Sequence, residues 1–335
     1  MKQAQPSARR RATLSCMIGL ALSVAPLAFP AGAHAQAWPA KVVRIVVGGP
    51  AGGTADILAR LLAEGLTQSL GKPVIVEQKP GGAGAIAVST LLSAPHDGHT
   101  LLLIQGGIVS ETPLALKVSF DPFKDLKPIA QVARTGLVLV GNPRLPAKNF
   151  SELLAYIKSK PGQIDYASYA AGMRGQTLGV QFNRLAGVNM SHVGYKGSPP
   201  GLQDVMGGHV PLMFDGLATS LPLIKAGKLK AYAVAYPKRI PALPDVPTFA
   251  EVGFPAMTEP GWMGVWLPPD VPAAVQEKIR NATLAIVQQP GYRKHVEDMG
   301  MDNGQPLSSE ALSREARAAY ERQAELLRSI HFVPE

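Results

Sequence analysis

Beyond residue 35 the chain has no cysteine; Cys16 is the one cysteine among its 335 residues. Residues 36–335 therefore offer no disulfide, no thiol nucleophile and no thiolate metal site. Charge is sparse at 17% of residues, and aromatics make up 6%. Of the 33 Lys and Arg, only Lys2, Arg9, Arg10 and Arg11 precede residue 36, and no Asp or Glu does, so residues 36–335 carry 29 basic against 24 acidic groups, a net of +5. So mild a charge, with no basic block and no interleaved aromatics, argues against a nucleic-acid partner and favours drawing in an anionic solute. No apolar run beyond residue 35 approaches the roughly 20 residues that span a bilayer. The six histidines of this region are scattered without metal-ligand spacing, and no G-x-S-x-G, P-loop or HExxH motif is present. Enzyme readings are left without nucleophile, base or metal; neither catalysis, cofactor nor metal is expected.

The first 35 residues differ from the rest. A basic start, an apolar stretch from Met17 to Leu27 and the small-x-small pattern Ala33, His34, Ala35 predict an export signal cleaved before Gln36, by the general or the twin-arginine route. The remaining 300 residues suit two domains in an exported, periplasmic protein.

The segment Val42–Leu66 organises the chain. A β-branched run through Val47 predicts a buried parallel strand, Gly48 to Gly53 cannot continue it, and Thr54 and Asp56 open a helix with Leu58, Leu62 and Leu66 on one face. A strand, a glycine turn and a helix leave unpaired N–H groups and the positive end of the helix dipole facing the turn, which is a ready anion site. Asp56 is expected to cap that helix. Strands at Val74–Val76 and Leu101–Ile104 flank a helix at Ala83–Leu92, and such alternation predicts βαβ units with their ligand edge at the carboxyl ends of the strands. A break at Asn142, Pro143 and Pro146 is taken as the crossing into a second lobe that repeats the plan: Asn149 and Glu152 as an N-cap box, a strand at Ile164–Ala167, a small-residue turn from Ser168 to Gly175, then a helix through Leu185. Further strands are expected at His192–Tyr195, Leu212–Phe214 and Ala231–Ala235, with helices at Pro199–Met206 and Leu217–Ala226. Trp262–Leu267 reads as a strand returning to the first lobe, followed by helices at Ala273–Val287, Tyr292–Met299 and Ser309–Ser329, the last two densely charged and read as a solvated cover.

Gly82, Gly84 and Ala87 satisfy G-x-G-x-x-A. Glu77 to Pro80 separate them from the preceding strand, and no acidic residue ends a following strand, so the dinucleotide reading is rejected.

Several stretches together resemble one family along nearly all of residues 36–335: PAGGTAD (Pro50–Asp56), PGGAGAIA (Pro80–Ala87), DGHTLLL (Asp97–Leu103), YAS (Tyr166–Ser168), HVGYKG (His192–Gly197), MFD (Met213–Asp215), LPDVPTFAEVG (Leu243–Gly253) and WMGVWLP (Trp262–Pro268). They are similar to the Bug family, periplasmic substrate-binding receptors of tripartite tricarboxylate transporters. The resemblance implies an α/β, type II periplasmic-binding-protein-like fold. Two lobes, 36–138 with 255–335 and 139–254, would each carry a mainly parallel sheet flanked by helices, with a ligand cleft between them. It also implies a monomer that captures a small organic carboxylate and serves the membrane subunits of a tripartite tricarboxylate transporter or a sensor kinase.

By that resemblance Ala51, Gly52, Gly53 and Thr54 form the first ligand loop, with Gly52, Gly53 and Thr54 donating to a carboxylate. Ser168, Gly172, Met173, Arg174 and Gln176 form the second, and Arg174 is a candidate for a second carboxylate. Asp215 accepts from a ligand hydroxyl or amine; His192 and Lys196 are weaker candidates for contact. The chain departs from the family pattern at Gly48 and Gly49, where a proline and an aromatic are usual, at Ala170, Ala171 and Gln176, which replace a glycine-rich turn and a histidine, and at Gly194, which replaces a proline. The lost aromatic is expected to widen the pocket or remove a stacking face. Two other readings remain: an exported α/β hydrolase or lyase, and a scaffold with a dead cleft.

Overall fold

The computed structural model describes residues 38–329 and 332. The expected signal segment, 1–35, and the start at Gln36 lie outside the described residues. The chain first lays down β1 (Val43–Val47), α1 (Thr54–Leu70), β2 (Val74–Gln78), α2 (Ala85–Leu92), β3 (Thr100–Gln105), two single turns α3 (Gly107–Ser110) and α4 (Thr112–Ala115), and β4 (Lys127–Thr135). It then builds β5 (Leu137–Gly141), α5 (Phe150–Ser159), β6 (Asp165–Ser168), α6 (Arg174–Ala186), β7 (Ser191–Gly194), α7 (Ser198–Gly207), β8 (Leu212–Gly216), α8 (Leu217–Lys225) and β9 (Lys230–Ala235). It closes with β10 (Gly261–Leu267), α9 (Ala273–Val287), α10 (Pro290–Asp298), β11 (Asp302–Asn303) and α11 (Ser309–Ser329).

These strands form two sheets, of order β11-β4-β10-β3-β1-β2 and β7-β6-β8-β5-β9. In the first, β1 is parallel to β2 and β3, while β10 is antiparallel to both β3 and β4, so β1 to β4 point one way. In the second, β6, β7 and β8 are parallel and β5 runs against β8 and β9. The direction is mainly parallel, as expected, with one long contrary strand inserted in each sheet. Both insertions have the same origin: β5 and β10 are the strands the chain enters on crossing from one sheet to the other.

The crossing lies at Gly136, between β4 and β5, and not at Asn142–Pro146. The proline-rich break follows β5 and merely ends it. Gly136 is required there, because a Cβ would stand 2.9 Å from the Ala235 carbonyl oxygen and from Tyr236 Cβ, where the two crossings pass side by side. The full length of β4 was hidden in sequence, since Gln131, Arg134 and its alanines break the apolar run, although Gln131 is fully buried.

Both sheets are covered on both faces, which explains their near-continuous apolar strands. In the first, Val43, Ile45 and Val47 meet Leu58 and Leu62 of α1 and Ile279 and Ile286 of α9, while Val46, Leu102 and Trp266 meet Val88 of α2 and Leu312 of α11. The charged helices α10 and α11 are therefore only half solvated: Tyr292, Val296, Leu312 and Ala316 are core residues. The second sheet holds Phe150, Phe182, Phe214, Phe249 and Phe254 in one cluster, with ring centroids 5.4–6.4 Å apart. Each such ring contributes about 1.5–3 kcal/mol by burial.

Candidate functional site

The carboxyl ends of strands from both sheets converge on a cavity of about 350 Å³. Its first-lobe wall is Gly48 to Pro50 after β1, Gly53 and Thr54 at the start of α1, the loop Gly81–Gly84, and Ile104 and Gln105 ending β3. The opposite wall is Tyr169 to Ala171 and Met173 after β6, Gly194 to Ser198 after β7, and Gly216 after β8. Five helices begin at this wall, with Gly53, Gly84, Met173, Gly197 and Gly216 as their cap residues, and none has a side-chain cap. Helices α9 and α10 also lack side-chain caps, but they open at exposed Ala273 and Pro290, where water serves. α5, remote from the cavity, is capped by Asn149, which accepts from the Glu152 N–H at 2.9 Å.

Local folding decides which donors are free. Gly52 adopts φ +75°, and its N–H donates to Asp56 Oδ2 at 3.0 Å, while the Gly53 N–H donates to the Pro50 carbonyl at 3.1 Å. Both N–H groups expected to hold a ligand are thus engaged in shaping the turn. The helical ladder starts with Ile57 donating to Gly53 at 3.0 Å, which leaves the Thr54 and Ala55 N–H groups without an intrahelical acceptor, and both residues line the cavity. Asp56 does not cap α1, as was expected of it; it lies within the helix and organises the loop from beneath by accepting the Gly52 N–H. Burial works against its charge, but Arg60, the Gly52 N–H and Gln78 donate to it and hold its carboxyl below the ordinary value. On the other wall, Pro199 and Pro200 occupy the first turn of α7 and donate nothing, so Ser198 carries that turn's polar contribution.

Among the described residues lining the cavity, Lys196 is the one charged side chain, and it is exposed. With no acidic lining residue and five helix N-termini, the field at the wall is positive and comes mainly from backbone. The lobes meet across it: a Cβ at Gly197, where φ is +112°, would stand 2.3 Å from Pro50 Cδ, and one at Gly172 would stand 3.0 Å from Leu116 Cγ. Gln105 Nε2 approaches Met173 Sδ at 3.1 Å, and the Tyr169 hydroxyl donates to Gln105 Oε1 at 3.3 Å.

Of the ten ligand residues expected from sequence, Gly53, Thr54 and Met173 line the cavity. Ala51 and Gly52 form the exposed outer side of the first turn. Gln176 accepts the Gly172 N–H at 2.7 Å and pins the second turn from beneath. Asp215 is fully buried, its Oδ2 accepting from Thr219 at 2.6 Å and Ser220 at 2.7 Å. Burial raises its pKa, against the pull of the Ser198, Thr219 and Ser220 hydroxyls and the Gly216 N–H. Arg174 lies outside the cavity wall and lines a smaller chamber next to it. Ser168 Oγ stands 2.7 Å from His192 Nε2 and 3.0 Å from the Ala170 carbonyl oxygen. That is a nucleophile–base distance, but Ser168 is 0% exposed and does not line the cavity. Burial pushes His192 down to about 4, so the pair is a neutral buried contact. Lys196 lines the cavity and His192 does not.

Cavity residues that the sequence reading did not assign to the ligand include the Gly81–Gly84 loop, Gln105, Tyr169, Tyr195 and Ser198. The loop did carry a signal: β2 runs to Gln78, so three glycines, at φ +118°, +54° and +94°, sit between a strand and a helix as in the first turn. At the departures from the family pattern, a Cβ at Gly49 would meet nothing within 4 Å, whereas one at Gly48 would meet Ile104 Cδ1 at 2.6 Å.

Two α/β lobes joined by paired crossings, with helix N-termini turned on a cavity between them, define a two-lobed solute-binding receptor. The sequence model of the tripartite tricarboxylate transporter family receptor matches residues 58–331, and the chain belongs to that family. The protein BugT of Bordetella pertussis is 34% identical over 76% of this chain and 78% of its own length. The solved structure of the periplasmic binding protein BugD is 30% identical, with a TM-score of 0.84 over 89% of this chain and 100% of its own. Rpa4515 of R. palustris, solved with adipate, is likewise 30% identical, with a TM-score of 0.86 over 89% of this chain and 100% of its own.

Proposed function

We propose that this chain is exported to the periplasm, binds a small organic carboxylate between its two lobes, and delivers it as a monomer to the membrane subunits of a tripartite tricarboxylate transporter or to a sensor. The observation that carries this reading is the set of five helix N-termini without side-chain caps at one cavity whose lining holds no acidic side chain. A carboxylate there accepts from the Thr54 and Ala55 N–H groups and the Thr54 hydroxyl, while Ile104, Leu116, Leu137 and Met263 pack on its hydrocarbon part. The adipate bound by Rpa4515 is a solute of this class.

The lobes are proposed to hinge near residues 138 and 254, closing as Pro50 meets Gly197. Closure after binding couples capture to a partner that recognises only the closed form. Calorimetric titration with hexanoate and with its neutral isostere hexanamide tests the carboxylate reading: hexanoate binds and hexanamide does not. Equal binding of both would show that the helix ends do not select for charge. Mass analysis of the exported chain tests the processing, with Gln36 as the expected first residue.

A further inference from the structure

Past the hydrogen bond between Tyr169 and Gln105 lies a second chamber of about 70 Å³. It shares Gln105, Thr135, Leu137 and Tyr169 with the main cavity. At 3.3 Å the Tyr169–Gln105 bond is long, and a polar ligand atom can replace it without great loss.

The chemistry of this chamber is the reverse of the cavity's. Glu111, Glu259 and Glu315 line it together with Arg174 and Arg322. Arg322 pairs with Glu259, and Glu315 pairs with Arg134 at 3.0 Å. Glu111 and Arg174 face each other across the lobes without a salt bridge. Glu111 Oε2, Arg174 Nη2 and Gln323 Nε2 are sealed from solvent, and each lacks a hydrogen-bond partner, although Gln323 is only 6% exposed. The chain makes room for the carboxylate: a Cβ at Gly107 would stand 2.7 Å from Glu111 Oε2. A buried polar atom left unpaired is costly, so three around one chamber mark a place that something else completes. Arg174 and Gln323 need an acceptor, and an ionised Glu111 needs a donor. A second carboxylate supplies acceptors only, so it leaves an ionised Glu111 without a donor and facing a like charge.

We propose that this chamber is a distal recognition site for a neutral group that both accepts and donates hydrogen bonds, such as a primary carboxamide, at the far end of a solute whose carboxylate occupies the main cavity. The proposal rests on the carboxylate reading above for the near end. The amide oxygen accepts from Arg174 and Gln323, and the amide NH2 donates to Glu111. Glu111 thereby rejects a diacid's second charge, which Arg174 alone would attract.

Burial raises the Glu111 pKa to about 7, against the pull of the Arg174 guanidinium and N–H. The charged groups facing it are Arg174 on α6, Arg322 and Glu315 on α11, and Glu259 ahead of β10; the Tyr169 phenol, raised by burial, stays neutral. Discrimination against a second carboxylate is accordingly greatest above that value and falls as the pH drops below it.

The test is calorimetry on the intact protein in alkaline buffer with hexanoate, adipate and adipic acid monoamide, and with the succinate and suberate counterparts. The monoamide of the best-fitting length is expected to bind about tenfold or more tighter than the diacid. Glu111→Gln, checked for folding by circular dichroism, should bring that ratio close to one, and Gln323→Leu should weaken the monoamide more than hexanoate. Monoamides that bind no tighter than hexanoate mean that water alone fills the chamber, which overturns the proposal while the carboxylate reading stands. If none of the acids binds, both fall.

Discussion

The two chambers are a few ångströms of side chain apart, yet they are built from opposite materials. The larger is walled by glycines, helix ends and apolar side chains, so its polarity is backbone polarity, fixed in place by the fold. The smaller is walled by long charged side chains, three of them in ion pairs, while Glu111, Arg174 and the neutral Gln323 each keep a buried polar atom unmatched. Backbone donors at helix ends cannot be withdrawn by rotamer changes or by pH, which suits the obligatory part of recognition. Side chains can be exchanged one at a time without disturbing the fold, which suits the part that varies between relatives.

The sharpest way to break the comparison is to prop the lobes apart. Gly197→Val puts a branched side chain at φ +112° and into Pro50 across the cleft. Affinity for a carboxylate should fall about tenfold or more because the contact opposes closure, while the backbone penalty of roughly 1–3 kcal/mol is paid with or without ligand and lowers the melting temperature by a few degrees. Small-angle scattering on this variant should show no ligand-induced compaction, whereas the parent compacts. Gly53→Val, by contrast, acts through bulk alone: φ there is −76°, open to any residue, and the added Cβ meets the Pro50 carbonyl oxygen at 3.2 Å. A left-handed backbone angle occurs one residue earlier, at Gly52, where φ is +75°.

Removing one donor from the backbone-built wall is milder. Thr54→Val keeps the helix start and its N–H but deletes the hydroxyl, and calorimetry should read a loss of about 1–2 kcal/mol for every carboxylate tested. Arg174→Ala should cost a simple monocarboxylate almost nothing by the same measurement, because Arg174 faces only the smaller chamber. The smallest effect is expected at Lys196: it is exposed, so Lys196→Ala should cost under about 1 kcal/mol, and less still as salt is raised.

A pH test bears on the second lobe's frame. The folded His192 is pushed by burial to about 4, below its unfolded value. Its neutral form is thus favoured by folding at high pH, and the stability this provides declines as pH falls from the unfolded value toward about 4. Acid denaturation of His192→Gln should therefore begin at lower pH than that of the parent, provided the bond to Ser168 is kept by the amide.

How much of this was legible in sequence follows from what each element announces. β1, α1, α9 and α11 have strong periodicity or long apolar runs, and their bounds were readable. β4 was not, because Gln131, Arg134 and alanines face a crowded interior without reading as apolar. The first glycine turn was legible as a break between strand and helix, and Gly52, at φ +75°, is the residue there whose backbone needs glycine. Which N–H groups are free was hidden, because it depends on Asp56 and Pro50 claiming those of Gly52 and Gly53. Gln105 and Tyr169 left no trace at all: each is a lone polar residue at a strand end, and they matter only because two distant strands finish at the same place. Arg174 was noticed for its charge, but only the fold separates its chamber from the cavity.

The central claim is that backbone at the start of α1, not an arginine, holds the ligand's carboxylate. A crystal structure of the protein with the tightest carboxylate from the calorimetric panel tests it most directly. The carboxylate oxygens should lie within hydrogen-bond distance of the Thr54 and Ala55 N–H groups. A carboxylate found instead against Arg174, with the α1 start facing water, would contradict the account.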